Sequence, residues 1–171
     1  MSNVLHPSSV AALRRAFLNN DLIRGAAKAL TLARRGVAQL DAALADTPLD
    51  DDFRDFLYRA MSEYFADAQG YLYVVTNPVQ VGFFKVGKTG RTPQKRLTEL
   101  NNEAVVGTFE LVKSWPVRDR HWLERAAHQR LGHLPRHKEF FHGTWRQVCC
   151  AVDEAVAADE ALLAAAGLLP T

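Results

Sequence analysis

The chain has 171 residues, of which 48% are hydrophobic, and a formal net charge of +2 at neutral pH. A chain of this size can bury one proper core and a small helical appendage, which excludes two large domains. Charges interrupt every apolar stretch before the roughly 18 residues that a membrane span needs, and no basic segment followed by an apolar one marks an export signal. We therefore expect a cytoplasmic protein with no membrane partner.

The charge is unevenly distributed along the chain. Residues 70–150 carry thirteen lysines and arginines against six aspartates and glutamates, whereas residues 51–69 and 151–171 are acidic. A basic segment between acidic flanks is typical of a protein that binds a phosphate backbone, although an ordinary solvated surface also carries such an excess. The distribution favours nucleic acid as a partner.

The first third of the chain is predicted to be helical throughout residues 8–67. Apolar residues recur at helical spacing from Val10 to Phe17 and again from Leu22 to Leu44. Asn20 or Asp21 fits the N-cap of the second helix, because both side chains accept hydrogen bonds from free N–H groups.

A third helix fits residues 50–66, after Pro48 has ended the preceding run. Three successive aspartates at positions 50 to 52 suit a helix N-terminus, and apolar residues line one face of the segment. We interpret the helices as a packing arm, or as the surface through which the chain forms a homodimer or binds a protein partner.

The middle of the chain changes to a strand pattern. Residues 71–76 and Phe83–Val86 are rich in β-branched and aromatic residues, and the turn-forming pair Asn77-Pro78 separates them. This pattern predicts a hairpin. Pro93 then opens a short helix over residues 94–101, since proline is favoured at the first helical position.

Three further elements complete the pattern. Residues 109–115 predict a third strand that Pro116 ends, and Asp119 caps a helix from Arg120 to Leu131. The alanine-rich stretch from Thr144 to about Ala166 predicts a final helix.

These elements predict an α+β fold in two domains. A helical N-terminal region, residues 1–68, precedes a domain of residues 69–171. The second domain contains a small ββαβα unit with a three-stranded antiparallel sheet, followed by a C-terminal helix.

One segment matches the phosphate-binding loop of nucleotide hydrolases. Residues 82–89 read G-F-F-K-V-G-K-T and satisfy the pattern G-x-x-x-x-G-K-[ST]. Such a loop needs a flexible turn between its glycines and a helix that starts at the lysine. Phe83 and Phe84 instead favour a strand, and Gly90 and Pro93 prevent a helix from continuing out of Thr89. We therefore do not expect nucleotide hydrolysis.

A second series of motifs spans residues 70 to 141. It reads G-Y-L-Y at 70–73 and K-V-G-K-T at 85–89, and continues with Arg96, with Glu124 and His128, and with E-F-F at 139–141. The series resembles the GIY-YIG nuclease superfamily, in the phage and meiotic-protein branch whose second signature reads K-[IV]-G-K-T. The resemblance covers residues 70–148. It implies a small ββαβα domain that cleaves nucleic-acid phosphodiesters with one divalent metal ion, Mg²⁺ or Mn²⁺.

The resemblance also implies roles for individual residues. Tyr73 takes the place of the first-signature tyrosine, Arg96 that of the arginine on the first helix, and Glu124 that of the metal-binding glutamate. Lys85 replaces the second-signature tyrosine and is counted with the catalytic residues. The further site residues are expected to bind nucleic acid (Lys88, Arg91, Lys95 and His128) or to support the site (Tyr71, Gly87 and Glu139).

The chemistry is consistent with these assignments. Mg²⁺ keeps several waters and often takes only one or two protein carboxylates, so Glu124 alone suffices in principle. The planar fork of Arg96 matches two phosphate oxygens, and Lys85 or Lys88 adds a point charge. We expect a metal-dependent endonuclease for which DNA is favoured over RNA as the substrate. The departures at Lys85 and Leu100 keep a second interpretation open, a nucleic-acid-binding module on the same fold with weak or no turnover.

Each site residue also has a purely structural interpretation. Strand tyrosines such as Tyr71 and Tyr73 are most often packing residues. Glu124 and His128 stand four apart on one helix, which suits a side-chain pair as well as a metal site. Glu139 serves equally well as a brace for the domain. The sequence leaves these alternatives open.

Overall fold

A computed structural model describes residues 7–36, 51–102 and 106–168. These residues pack into two compact units. The first unit falls within residues 1–67 and 159–171, and the second within residues 68–158. Whether the chain folds as separate domains divided at residue 68 stays a prediction.

Helices form the described part of the first unit. They are α1 (Pro7–Leu18), α2 (Leu22–Ala33) and α3 (Asp51–Ala68). Asp21 caps α2 as predicted, since its carboxylate accepts a hydrogen bond of 3.0 Å from the Arg24 N–H. The helix predicted to run to Leu44 instead ends at Ala33, followed by a turn and by Gly36 at a φ of +130°. The remainder of that prediction, from residue 37, lies outside the described residues.

Aromatic rings pack against one another in the core of the first unit. Phe17 packs edge-on against Phe53 and Phe56, with ring centroids 5.0 and 5.4 Å apart. Gly25 lets α2 approach Phe56 closely, because a Cβ at this position would lie 2.5 Å from the ring. Leu163 of the C-terminal helix (Trp145–Ala165) is buried in the same cluster.

A buried ion pair also stabilises this unit. Arg34 donates to the Asp159 carboxylate from Nε at 2.8 Å and from Nη2 at 3.1 Å. Both side chains are only 6% exposed. The pair therefore joins the end of α2 to the C-terminal helix without competition from water.

The second unit is built on an antiparallel sheet. Its first strands, β1 (Gly70–Thr76) and β2 (Phe83–Thr89), form the predicted hairpin. Helix α4 (Pro93–Asn102) begins at the predicted proline, and strand β3 (Glu110–Val117) pairs with β1 on its other side. Helix α5 (Arg120–Arg130) begins after Asp119, whose carboxylate accepts from the Trp122 N–H at 2.9 Å as predicted.

The prediction of a three-stranded antiparallel sheet is confirmed only in part, because the three predicted strands are present but the sheet in the described residues has five. The additional strands are β4 (Arg136–His137) and β5 (Phe140–His142), and the spatial order is β3-β1-β2-β5-β4. These strands have two and three residues, which is too short for an alternating pattern to show in the sequence. The C-terminal helix follows them as α6.

Pro116 does not end the third strand as predicted, because β3 continues to Val117. A proline cannot donate to a neighbouring strand and is tolerated at the edge of a sheet. Strand β3 is an edge strand that pairs with β1 alone in the described sheet, so a missing N–H is acceptable there.

Helices cover both faces of the sheet. Leu72 and Val74 face one core with α5 and the first part of α6, and Tyr73 and Val75 face a smaller core with Leu100 of α4. In the part of the chain that the structure describes, no helix combines the length and apolarity needed to cross a bilayer. Alternate residues of β1 and β2 point to opposite faces of the sheet. Where the edge of a strand is not covered by another strand, side chains from the two faces can therefore lie close together.

We predict that Arg34→Met lowers the free energy of unfolding by about 3–5 kcal/mol, because Asp159 would be left buried without its partner. The double variant Arg34→Met with Asp159→Leu should recover most of this loss. Urea denaturation followed by far-UV circular dichroism reports on the helices of both units, and the fluorescence of Trp115, Trp122 and Trp145, which all belong to the second unit, identifies the part of the transition that comes from that unit.

The matched control is Arg24→Met, which removes a more exposed pair with Asp21 at 3.7 Å. Its effect should stay below about 1 kcal/mol. Equal losses for the two single variants would contradict the role of the buried pair.

Candidate functional site

A cleft lies beside the outer edge of strand β2. Within the described sheet, β5 pairs with β2 only at Phe83, Phe84 and Lys85, so no strand covers the edge from Val86 to Thr89. The cleft has a volume of about 340 Å³. Its walls are formed by side chains from both faces of the sheet and from the β4–β5 hairpin: Tyr73, Lys85, Val86, Gly87, Lys88, Arg96, Glu124, His128, Arg136 and Glu139.

The cleft carries more positive than negative charge. Two lysines and two arginines line it, against two glutamates. A small cleft with this excess of cations attracts an anionic group such as a phosphate.

Tyr73 is held in the wall by a glycine on the neighbouring strand. Tyr73 lies directly opposite Gly87 in the β1–β2 register and is only 3% exposed. A Cβ at Gly87 would lie 2.5 Å from the Tyr73 hydroxyl oxygen, which is closer than any real contact. The Arg96 Nε donates to that oxygen at 3.4 Å. The glycine therefore makes room for the phenol, and the phenol in turn contacts the guanidinium.

Glu124 pairs with Lys88 across the cleft. The Lys88 ammonium donates to one carboxylate oxygen of Glu124, and both side chains are partly exposed. Helix α5 presents Glu124 from the face opposite to Tyr73 and Arg96. The two residues of the ion pair are 36 positions apart in sequence, so only the tertiary fold brings them together.

His128 lies one turn after Glu124 but does not pair with it. Its Nε2 donates to the Val86 carbonyl oxygen at 2.9 Å, and its ring packs edge-on against Phe141. These contacts anchor α5 to strand β2 at the cleft. The alternative of a Glu124–His128 pair is therefore wrong.

Lys85 and Glu139 form a second ion pair at the rim. The Lys85 ammonium lies 2.5 Å from the carboxylate, and Glu139 is largely exposed. The hydrogen bond and charge of Lys85, helped by Arg136 and Arg96, hold the pKa of Glu139 below the ordinary value for glutamate. The carboxylate thus keeps its negative charge until the solution is more acidic than an isolated glutamate would require.

The part of the chain that forms this cleft matches a known protein family. The model of the T5orf172 domain matches residues 70–156, which is just over half of the 171 residues. The chain belongs to the T5orf172 domain family. This domain occurs in phage and nuclease-like proteins. Searches of curated proteins and of solved structures returned no match.

Three predicted site residues of the T5orf172 domain lie outside the walls of the cleft. Tyr71 is half-buried, two positions before Tyr73 on β1. Arg91 is exposed and pairs with Glu99, which also pairs with Arg96. Lys95 is exposed on α4, next to Arg96 in the sequence. Their assigned roles stay predictions.

Arg136 is a residue of the cleft that the sequence did not reveal. Its Nε donates to the Lys138 carbonyl oxygen at 2.6 Å, and its guanidinium lies over the Phe141 ring at 5.3 Å. The only signal in the sequence is its position after Pro135 and shortly before Glu139. Because β4 has two residues, no periodic pattern indicates that Arg136 borders the site.

The donor set of the T5orf172 domain suits a weakly held oxygen-seeking metal ion. In residues 7–36, 51–102 and 106–168, no group of three or more histidine, cysteine, aspartate or glutamate side chains is arranged to hold a metal. Glu124 offers a single carboxylate in a cleft wall. Mg²⁺ and Mn²⁺ accept such a site when water and substrate phosphate supply the other ligands.

We predict that Gly87→Ala destabilises the domain by about 1–3 kcal/mol, because the new methyl group must displace the Tyr73 phenol. Thermal unfolding followed by tryptophan fluorescence measures the change. Gly132→Ala is the control, since a Cβ at that position meets no atom within 4 Å. An unchanged melting temperature for Gly87→Ala would contradict the close contact between Gly87 and the Tyr73 phenol.

Proposed function

We propose that this T5orf172 domain is a metal-dependent endonuclease of the GIY-YIG type that hydrolyses phosphodiester bonds, with DNA as its substrate. The observation that carries the proposal is the meeting of Tyr73, Arg96 and Glu124 in one cationic cleft. Packing alone does not require a guanidinium, a phenol and a carboxylate from three separate elements to border the same solvent-filled space.

The cations of the cleft bind the scissile phosphate in this proposal. Arg96 presents a planar fork that fits two phosphate oxygens, and Glu99 and the Tyr73 hydroxyl already orient its guanidinium. Lys85 and Lys88 lie on β2 beside it and add point charges. Fixed cations stabilise the negative charge that grows on the phosphoryl oxygens during hydrolysis.

Glu124 holds the divalent ion in this proposal. When bound, Mg²⁺ or Mn²⁺ neutralises phosphoryl oxygens and stabilises the departing alkoxide. Glu124 is paired with Lys88 in the structure, so Lys88 must release the carboxylate as substrate enters. The arriving phosphate offers Lys88 a new anionic partner, which lowers the cost of this exchange.

Tyr73 orients the attacking water in this proposal. Its hydroxyl oxygen is kept at the cleft by the absence of a side chain at Gly87 and by the Arg96 Nε–H. A water that donates a hydrogen bond to this oxygen would be placed for attack on the phosphorus atom.

The Lys88–Glu124 pair supports a second candidate function. A lysine that neutralises the only carboxylate proposed as a metal ligand is also compatible with a domain that binds nucleic acid without cutting it. Lys85, which replaces a tyrosine of the superfamily signature, is also compatible with binding without cleavage. Cleavage assays separate the two candidates, because both bind phosphate and only one turns over.

We predict that Glu124→Gln lowers the rate at which supercoiled plasmid is nicked in Mg²⁺ or Mn²⁺ by about a hundredfold to a thousandfold. Binding of a short DNA strand should survive, because the cations remain. Gel assays with metal and with chelator measure cutting, and fluorescence anisotropy measures binding.

Glu110→Gln is the matched control, since it removes an exposed carboxylate on β3 that does not line the cleft. It should cut like the unmodified protein. Equal cutting by all three proteins would assign the activity to a contaminant, and binding without any cutting would favour the second candidate.

We predict different effects for the neighbouring cations Arg96 and Lys95. Arg96→Gln should lower the cleavage rate at saturating DNA by about a hundredfold, because it removes a phosphate ligand that acts in the transition state. Lys95→Gln removes the same charge outside the cleft and should only weaken binding a few-fold at low salt. Single-turnover assays at several salt concentrations distinguish a lower cleavage rate from a lower affinity for DNA. If Arg96→Gln and Lys95→Gln lowered the cleavage rate equally, Arg96 would not belong to the proposed site.

A further inference from the structure

A second, mostly apolar groove lies beside the β4–β5 hairpin. It has a volume of about 490 Å³, which is within the range of small-ligand sites. The side chains that matter here come from the β1–β2 loop, from β2 and from the hairpin: Val79, Val81, Phe83, His137, Lys138 and Phe140.

The loop on one side of the groove is held in place by a buried asparagine. Asn77 is 1% exposed, donates to the Val106 carbonyl oxygen at 2.8 Å and accepts from the Val79 N–H at 3.1 Å. Val79 and Val81 are nevertheless 63% and 82% exposed. The loop therefore presents apolar side chains to solvent from a fixed backbone.

Aromatic rings form the floor of the groove. Phe83 packs against His142 with ring centroids 4.9 Å apart, and Phe140 stacks on Phe109 at 6.0 Å with nearly parallel planes. Phe83 and Phe140 are only partly buried. Partly exposed rings that are supported from behind are suitable surfaces for stacking a flat ligand.

The groove and the cleft are neighbours on the same hairpin. Arg136 and Glu139 line the cleft, whereas the two residues between them, His137 and Lys138, line the groove. Phe140 of the groove is also the direct cross-strand partner of Lys85 in the cleft. Directly paired residues on antiparallel strands lie about 5 Å apart, so a single ligand can reach both places.

We propose that the groove binds an unstacked nucleobase of the same strand whose phosphate occupies the cleft. This inference rests on the proposed function and names the class of substrate, a nucleic acid with unpaired bases beside the cut. The cleft supplies cations for the phosphate, and the groove supplies aromatic and apolar contacts for the base. Gln80, His137 and Lys138 provide polar groups at the rim for the edge of the base.

The test compares two fluorescently labelled oligomers of equal length and charge, twelve thymidylates and twelve abasic deoxyribose phosphates, at one salt concentration. The Glu124→Gln protein is used in all arms so that nothing is cut. We expect the base-carrying strand to bind about 5- to 100-fold more tightly than the abasic one, as stacking of one or more bases allows.

Two variants alter the groove without changing charge. Phe83→Ala removes a stacking surface, and Val81→Asn changes a side chain that is too exposed to affect folding. Both should bring the ratio of the two affinities towards one, while the affinity for the abasic oligomer stays the same. Ile23→Asn is the matched control, since Ile23 is 66% exposed and belongs to the first unit, and it should keep the full ratio.

The outcomes separate this inference from the proposed function. Equal affinity of the unsubstituted groove for both oligomers overturns the base site, yet leaves metal-dependent nicking untouched. A groove variant that changes the oligomeric state in size-exclusion chromatography but not the affinity ratio also overturns it, and identifies the groove as an interface between copies. Failure to bind either oligomer overturns the base site, and the nicking of supercoiled plasmid then decides the proposed function separately.

Discussion

Incomplete pairing of strand β2 is the constraint on which the site depends. Strand β5 covers β2 only from Phe83 to Lys85, and the cleft occupies the uncovered edge that follows. Successive side chains of a strand point to opposite faces, so Gly87 faces Tyr73 and α4, while Lys88 faces Glu124 on α5. A fourth full-length strand at this edge would separate the two sets of side chains, and the cleft would not exist.

The ion pairs of the cleft allow an anionic ligand to take the place of a glutamate as the partner of a lysine. Each glutamate that lines it is paired with a lysine of β2, and both pairs are at least partly exposed to solvent. Solvent that reaches an ion pair screens it, so such a pair is weaker than a fully buried one. An anionic ligand can therefore replace a carboxylate as the partner of a lysine more readily here than at the buried pair of Arg34 and Asp159 in the other unit, which has a structural role.

The sequence correctly predicted those features that depend on one residue and its immediate neighbours, such as the start of a helix. Asp21 and Asp119 cap helices, and Pro93 starts one. All of the G-F-F-K-V-G-K-T segment after its first glycine is strand β2, as its bulky residues indicated, and no helix begins at Lys88. The errors concern elements whose formation depends on partners distant in sequence. Strands β4 and β5 are too short to show a period, and Pro116 is tolerated only because β3 lies at the edge of the sheet.

The sequence by itself determined the order of the helices and of the first three strands, the basic character of the middle segment and the types of residue available for a phosphate site. Only the tertiary structure decided which of them meet. It brings Tyr73, Arg96 and Glu124 into one cleft, adds Arg136, and leaves Tyr71, Arg91 and Lys95 outside. The physical reason is that the contacts that build the site join residues tens of positions apart, such as Lys85 with Glu139 and Lys88 with Glu124. Strand order and helix packing set these distances, and no local propensity encodes them.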